Sequence, residues 1–371
     1  MVNQIFHNIV AIQIGNMAME PKVSIIMPSL NVAKYIEQCV ESVINQSLKD
    51  IEILCIDAKS TDGTLEILRE YEKQDNRIQV IVSDIKSYGY QMNLGLKRAR
   101  GKYIGIVETD DWIDFDMFET LYETAEKNSV EMVKANYYLY NTLEGEHNKF
   151  YLNYRGGIFE SSFLPIESKA LWASPPAIWS GLYKRSMLLD NDIHFNETVG
   201  ASYQDASFHF MVCTVAKSCY LIKEAFLHYR TDNEASSVNS PGKVFCICDE
   251  MHYFENFLEK YPEKKEYIMP YYMFLKYDKY RWNYLRLNEK LRKEFLKVMH
   301  EEFFYASRNN LLSEKCFSEN DWNELQTLIY KPQKYLNNKP SIKGRVCSIM
   351  KFVHKNGLVV TMKKVVQKLI G

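Results

Sequence analysis

The sequence predicts an α/β protein with a doubly wound, mostly parallel sheet, followed by a helical C-terminal region. Short apolar runs alternate with amphipathic helical patterns over residues 23–107. Short loops join these patterns, as is typical of parallel sheets covered by helices on both faces. Beyond Pro241 the strand-like alternation ends, and Tyr, Phe, Lys and Glu recur at helical spacing.

The elements follow one another in a regular order. Apolar runs at 23–27, 51–56, 78–82 and 103–107 predict four buried strands. Between them, apolar positions recur at helical spacing from residue 36, from residue 65 and over 92–99, which predicts three helices. The polar segment at 57–63 carries residues that commonly begin helices, so it predicts the start of the second one.

Three carboxylates, Glu108, Asp110 and Asp111, directly follow the fourth predicted strand. Sheets of this class bind ligands at the carboxyl ends of their strands. Like charges this close are tolerated most easily when a cation lies between them, which favours a metal site. A solvated acidic turn before a helix near Phe115 is the alternative, and these residues alone leave both interpretations open.

Four segments, in the same order and at natural spacings, resemble the nucleotide-sugar-binding half of a family 2 glycosyltransferase with the GT-A fold. They are PSLN at 28–31 with its following helix, IDAKSTDGT at 56–64, GKYI at 101–104 and ETDD at 108–111. Further on, IHFNE at 193–197 and YQDASF at 203–208 resemble the acceptor-side segment of that family. HYR at 228–230 and SSV at 236–238 extend the resemblance.

The resemblance implies a particular set of site residues. The nucleotide-sugar donor, expected to be a UDP-sugar, would be bound by Pro28, Ser29, Leu30, Asn31, Asp57, Lys86, Glu108 and Asp110. Within this set, Asp57 would accept a hydrogen bond from a uracil-type imide. Asp110 and Asp111 would hold Mn²⁺ or Mg²⁺, with Glu108 reaching a ribose hydroxyl or a metal-bound water. The cation would offset the charge of the leaving diphosphate.

The chain also departs from the family pattern. Ala58 and Lys59 stand where an acidic residue and a glycine are common. Met92 replaces an arginine that could touch the nucleotide, and Lys86 or Arg98 is the candidate substitute. These departures support an alternative function, a non-catalytic nucleotide-sugar sensor. A nucleotidyltransferase is less well supported, because 28–31 contains neither glycine nor a basic residue.

The resemblance of 203–208 to the family's acceptor-side segment implies that Asp205 is the catalytic base, a carboxylate positioned to take the proton of an acceptor hydroxyl. A helix N-cap is the alternative role. A single base predicts inversion at the anomeric carbon, as the resemblance also implies. Gln204, which replaces the family glutamate, and Trp179 are the candidate acceptor-binding residues. Trp179 lies between Trp172 and Tyr183 in sequence, and these aromatic residues either stack on sugars or belong to the core.

The expected organisation is a disordered leader at 1–20, a catalytic domain at 21–240 and a helical region at 241–371. The catalytic domain divides into a nucleotide-sugar half at 21–135 and an acceptor half at 136–240. The basic amphipathic stretch at 343–371 predicts either a helix on the inner membrane leaflet or a helix packed on the domain, and a homodimer through this region is a third prediction.

Composition limits the location and partners. The formal net charge of −1 argues against a nucleic-acid partner. Eight cysteines without paired spacing predict reduced thiols in a cytoplasmic protein. The predicted function is therefore an inverting glycosyltransferase that extends a saccharide or lipid-linked saccharide for a cell-surface or capsular polysaccharide.

Overall fold

The computed structural model of the protein describes residues 20–142, 147–201, 203–233 and 243–337. Its strands are β1 Val23–Ser29, β2 Ile51–Asp57, β3 Ile78–Val82, β4 Tyr103–Ile106, β5 Trp112–Ile113, β6 Met132–Asn141, β7 His147–Tyr151, β8 Ser162–Phe163, β9 Gly181–Lys184 and β10 Cys219–Arg230. Its α-helices are α1 Ile36–Ile44, α2 Thr64–Gln74, α3 Tyr88–Arg98, α4 Met117–Asn128, α5 Lys169–Ala173, α6 Arg185–Asp190, α7 Gln204–Val215, α8 Cys246–Leu258, α9 Pro262–Arg286, α10 Glu289–Arg308, α11 Glu319–Tyr330 and α12 Pro332–Asn337.

One continuous sheet has the strand order β3-β2-β1-β4-β9-β6-β10-β5. The four strands from β3 to β4 are parallel to one another, as predicted. β9 runs antiparallel to both of its neighbours, and β6 and β10 are again parallel to each other. The short strands β7 and β8 pair with β6 and β10. The α/β class is confirmed, with the mixed pairing confined to the second half of the sheet.

Helices cover both faces of the sheet, which confirms the doubly wound arrangement. On one face, Val23, Ile25 and Met27 of β1 join a core that includes α1 and α4. On the other face, Ile26 joins a core that includes α3 and α7. The helices α8 to α12 contribute to this second core, so the C-terminal helical region packs directly on the sheet domain. The proposed border at 240 and the segment 343–371 lie outside the described residues, as does all but the last residue of the leader.

α3 begins four residues earlier than the sequence indicates. Ser87 caps the helix, its hydroxyl accepting a hydrogen bond from the backbone N–H of Tyr90. The next turn passes very close to the loop before α7, because a Cβ at Gly89 would overlap the carbonyl oxygen of Asn196. This contact brings Tyr88 to the carboxyl edge of the sheet, where the predicted site lies.

Glu250 of α8 links the C-terminal helical region to α7. Its fully buried carboxylate accepts hydrogen bonds from the Ser207 hydroxyl and from the Asn196 amide. Burial raises the pKa of Glu250 to about 8, against the effect of these two hydrogen bonds. The folded protein therefore favours the protonated form of Glu250 far more than the unfolded chain does.

This pKa predicts how stability depends on pH. The stabilisation is fully present below the unfolded-state pKa of about 4.3 and is lost as the pH rises through about 8. Between pH 5 and pH 9 we expect the wild type to lose about 4 kcal/mol more unfolding free energy than Glu250→Gln, whose amide carries no charge. Urea titrations at both pH values measure this difference. The exposed Glu301→Gln is the control, and parallel pH profiles for the wild type and Glu250→Gln would contradict the prediction.

Candidate active site

The carboxyl ends of β1, β2 and β4 meet at one edge of the sheet. The Thr109 hydroxyl donates to the carbonyl oxygen of Pro28 at 2.8 Å, and the Ala58 N–H donates to that of Ser29 at 3.0 Å. These bonds join the loops that follow the three strands. The predicted nucleotide segment and the predicted carboxylate loop therefore lie side by side.

Asp57 holds the loop after β2 in place. Its fully buried carboxylate accepts hydrogen bonds from the Ser29 hydroxyl at 3.1 Å and from the Ser60 hydroxyl at 2.6 Å. It also accepts the Ser60 backbone N–H at 2.8 Å. Because both oxygens are engaged inside the protein, a direct contact between Asp57 and a nucleobase stays a prediction.

The accessible part of this edge is formed by residues further along the loops. Leu30 and Asn31 are exposed, and the Asn31 side chain accepts the backbone N–H of Thr61 at 2.9 Å, whereas Pro28 and Ser29 are buried. Lys86 is exposed in the loop before α3. Arg98 is at the opposite edge, in a surface depression with the first residues of β2 and β3, so it cannot replace the missing arginine.

The Glu108 carboxylate is half-buried and accepts a hydrogen bond from the Tyr88 hydroxyl at 2.6 Å. Burial raises the pKa of Glu108 to about 8 against the effect of this bond, and the charges of Asp110 and Asp205 act in the same direction as burial. Glu108 and Asp205 are 97 positions apart in sequence, yet their charges interact. The fold therefore brings the two predicted acidic groups to one region.

Asp110 and Asp111 have different surroundings. Asp110 is half-buried, and one of its carboxylate oxygens accepts a hydrogen bond from the Asn233 amide at 2.7 Å. Asp111 is buried and accepts the backbone N–H of Arg230 through Oδ1 at 2.8 Å. Burial, followed by the charge of Asp110, raises the pKa of Asp111. Its Oδ2 is also buried and has no hydrogen-bond partner within the described part of the chain.

The side-chain oxygens available as metal ligands fit a cation that is shared with a substrate. Across the described ranges, no group of three or more His, Cys, Asp or Glu side chains is arranged to hold a metal by itself. Ions such as Mg²⁺ are commonly bound by one or two carboxylates, and substrate phosphates complete the coordination shell. Asp110 offers an accessible carboxylate, and Asp111 places an unsatisfied oxygen beside it. We infer that this pair suits a cation bound together with a diphosphate.

Arg230, at the end of β10, fixes the carboxylate loop. Its Nε donates to the carbonyl oxygen of Asp110 at 2.9 Å, and its Nη2 donates to the Gln38 side chain at 2.8 Å. The guanidinium also lies over the rings of Tyr35 and Tyr140, at 4.5 Å and 4.9 Å from their centroids. The sequence resemblance included Arg230 but gave it no role, and the structure identifies it as a positioning residue.

A lysine cannot reproduce this fork of hydrogen bonds. We expect Arg230→Lys to lower the unfolding free energy by about 2 kcal/mol, because two hydrogen bonds of a buried charged group are lost. We also expect a weaker effect of Mn²⁺ on thermal stability. Urea and thermal denaturation measure the two effects. Arg98→Lys, at the opposite edge of the sheet, is the matched control, and equal losses in both variants would refute the positioning role.

Asp205 lies in the first turn of α7. The helix is capped by Tyr203, whose φ of 65° is left-handed, so the N-cap role considered for Asp205 belongs to another residue. Burial raises the pKa of Asp205, and the charge of Lys279 in α9 opposes that rise. Asp205 is thus a half-buried carboxylate with raised basicity, close to a cation that the sequence did not associate with it.

Tyr229 connects the acidic groups to the predicted acceptor aromatics. Burial raises the pKa of its hydroxyl, and the charges of Asp111, Asp110, Asp205 and Glu108 raise it further. Its ring stacks on that of Trp179, with centroids 5.3 Å apart and planes 9° apart. Trp179 therefore packs against the tyrosine whose hydroxyl is influenced by the four carboxylates, and its contact with an acceptor sugar stays a prediction.

The other aromatic residues and Gln204, considered as acceptor-binding residues, are buried. Trp172 and Tyr183 are buried in the core, which settles the alternative left open for them. Gln204 is buried, and its amide donates to the Thr198 hydroxyl and to the carbonyl oxygen of Gly200. Gln204 therefore holds the loop before α7 in place, and its contact with an acceptor stays a prediction.

The helices in the described ranges include none that is both long and apolar enough to cross a membrane. The described cysteines are all unpaired, as expected from their spacing.

Comparison with known proteins agrees with this geometry. Residues 24–176 match the family described as Glycosyl transferase family 2. The protein named Uncharacterized glycosyltransferase EpsJ, from Bacillus subtilis, is 32% identical over 61% of this chain and 65% of its own length. The poly(ribitol-phosphate) beta-glucosyltransferase of Bacillus spizizenii is 28% identical over 58% of this chain. The match spans only 34% of that relative.

The fold is also shared with a solved structure. Staphylococcus aureus TarS 1–349, solved in complex with UDP-GlcNAc, superposes with a TM-score of 0.62. The superposition covers 85% of this chain and 89% of TarS at 17% identity, so this likeness is one of fold. Three observations therefore agree, namely the sequence match over 24–176, the shared fold and the carboxylate edge of the sheet. Over residues 24–176, the chain is similar to members of glycosyl transferase family 2.

Proposed function

We propose that the protein is a metal-dependent, inverting glycosyltransferase. It moves a sugar from a nucleoside-diphosphate sugar, expected to be a UDP-sugar, to a saccharide or lipid-linked saccharide acceptor. The observation that carries the proposal is the group of Glu108, Asp110, Asp111 and Asp205 around Tyr229, at the carboxyl edge of a family 2 sheet. A poly(ribitol-phosphate) beta-glucosyltransferase among the relatives favours a cell-surface polysaccharide as the product.

The donor would lie across the ends of β1, β2 and β4. Leu30 and Asn31 would contact the nucleoside, and Asp110 and Asp111 would hold a divalent cation. When bound, that cation supplies positive charge to the leaving diphosphate. Glu108, held by Tyr88, would accept from a ribose hydroxyl or from a water. The solved complex of TarS with UDP-GlcNAc supports the choice of a uridine donor for this fold.

Asp205 would take the proton from the acceptor hydroxyl. A base whose pKa is raised towards the working pH is more effective than an ordinary carboxylate. Burial supplies that rise for Asp205. Trp179 would stack on the acceptor sugar. Tyr229 would lie between Trp179 and the acidic loop. With one base on the acceptor side, attack opposite the leaving group inverts the anomeric carbon.

The first experiment is thermal denaturation with UDP-, GDP-, CDP- and dTDP-sugars, with and without Mn²⁺. A ligand at 100 times its Kd stabilises the folded state by about 2.7 kcal/mol. We expect a rise in melting temperature with the UDP-sugars that depends on Mn²⁺. An equal rise without Mn²⁺, or no rise with any donor in a folded sample, would contradict the proposal.

A nucleotide-sugar sensor remains the second candidate function. It is favoured by Ala58 and the exposed Lys59, which stand where an acidic residue and a glycine are common in the family; Lys59 pairs with Asp84 at 2.8 Å. A sensor and an enzyme would both bind the donor, so only turnover with an acceptor separates them. Release of UDP from a UDP-sugar in the presence of acceptor glycans measures that turnover.

A further inference from the structure

The last turns of α9 present three side chains on one helical face beside the start of α7. Lys279, Trp282 and Arg286 are spaced by three and four residues, which places them one above another. The Lys279 ammonium lies 5.5 Å from the ring centroid of Phe210 in α7. The Arg286 guanidinium lies 5.2 Å from the Trp282 ring and 5.8 Å from the Tyr203 ring.

This face is close to Asp205. Burial lowers the pKa of Lys279, and the negative charge of Asp205 is the largest influence that opposes this lowering. Tyr203, two residues before Asp205, packs edge-on against Trp282 with the ring centroids 6.0 Å apart. Lys279 and Trp282 therefore border the region where the acceptor hydroxyl would meet its base.

Two further features suit a binding surface. The Trp282 side chain is 47% exposed, although it lies on a helix whose other aromatic residues are mostly buried. The Tyr203 hydroxyl is buried and has no hydrogen-bond partner within the described ranges. An exposed indole offers a flat apolar face, and a guanidinium or ammonium beside it can bind a phosphate or carboxylate.

We propose that Lys279, Trp282 and Arg286 form an acceptor subsite for a saccharide that carries an anionic group. A sugar ring stacks on Trp282, and its phosphate or carboxylate lies between the two cations. This inference rests on the proposed function, since Asp205 would act on a hydroxyl of the same acceptor. The four carboxylates around Tyr229 repel an anion, so cations on the α9 side are needed to hold such an acceptor close to the base.

The test uses the full chain and three simple probes, glucose 1-phosphate, glucuronic acid and glucose. They are titrated in the presence of saturating UDP and Mn²⁺, which fill the donor site, and Trp fluorescence is recorded. Lys279→Met and Arg286→Met keep an unbranched apolar stem, and Trp282→Phe identifies the signal of the indole. Lys297→Met, at an exposed position of α10, is the matched control.

We expect an anionic probe to bind at least about tenfold more weakly to each cation variant, the loss expected for one charged hydrogen bond. Tighter binding of glucose 1-phosphate than of glucuronic acid would identify a phosphate-bearing acceptor, and the reverse order a uronate-bearing one. Trp282→Phe should abolish the fluorescence change. Glucose binding as tightly as the anions, or unchanged affinity in both cation variants, would overturn the proposal.

Donor binding separates this inference from the proposed function. We expect the three α9 variants to keep the Mn²⁺-dependent rise in melting temperature with a UDP-sugar. If the wild type lacks that rise, the proposed function fails, and the titrations repeated without UDP still test the subsite. If the rise is intact and the anionic probes bind every variant equally, the subsite alone is refuted.

Discussion

Replacing Asp205 by asparagine is expected to lower the rate of sugar transfer about 10²- to 10⁴-fold, the usual contribution of a positioned general base. Asparagine has the same shape but cannot take the proton of an acceptor hydroxyl. Donor binding should remain, because Asp205 lies in α7 on the acceptor side of the site. Release of UDP with an acceptor glycan measures transfer, and thermal stabilisation by donor and Mn²⁺ measures binding.

The matched control for this experiment is Asp190→Asn, an exposed aspartate at the end of α6. It should leave both measurements unchanged. Unaltered turnover in Asp205→Asn would remove Asp205 from the mechanism. If the wild type binds the donor but shows no turnover with any acceptor glycan tested, the sensor becomes the leading function.

The pH profile of the wild type gives an independent check on the same residue. Burial raises the pKa of Asp205, so its basic form is lost at a higher pH than for an ordinary carboxylate. Activity should therefore fall as the pH is lowered through that raised pKa. If activity instead falls only near the pKa of an ordinary carboxylate, the base is a more exposed group.

Replacing Asp110 by asparagine is expected to abolish the Mn²⁺-dependent part of donor binding. At 100 times the Kd the wild type gains about 2.7 kcal/mol from the donor, and most of this gain should disappear. The reason is that an amide is a much weaker ligand for a hard divalent cation than a carboxylate. The fold should persist, since an asparagine oxygen can still accept the hydrogen bond from Asn233.

Thermal denaturation with UDP-sugar and Mn²⁺ measures this effect. Asp116→Asn is the control, because Asp116 is an exposed aspartate nearby whose side chain makes no capping hydrogen bond to α4. Full Mn²⁺-dependent stabilisation in Asp110→Asn would show that the metal is held elsewhere. Loss in Asp116→Asn as well would point to a general effect of surface charge.

The alternation of apolar runs and helical patterns was sufficient to predict the parallel sheet and the edge at which Glu108 and Asp110 lie. Buried strands leave a strong local pattern, and the carboxyl ends of parallel strands necessarily share one edge. The start of α3 was missed, because the cap at Ser87 is a single polar residue in a stretch with no clear period. With it, the bond from Tyr88 to Glu108 was missed too.

The aromatic residues show a second limit of local patterns. Trp172 and Trp179 have similar sequence surroundings, yet one is in the core and the other stacks on Tyr229. Side-chain burial depends on which elements pack against each position, and a sequence pattern does not specify that at the edge of a mixed sheet. The contact of Gln204 with an acceptor stays a prediction, and the sequence did not indicate that its amide binds the loop before α7.

The sequence alone determined the α/β class, the succession of β1 to β4 along the chain and the acidic edge, because each depends on residues that are close in the chain. Only the tertiary structure brought Glu250 and Lys279 to α7. Helical periodicity indicates which face of a helix is buried but not its partner. That choice is made by long-range packing, and here it places the C-terminal helices beside the proposed base.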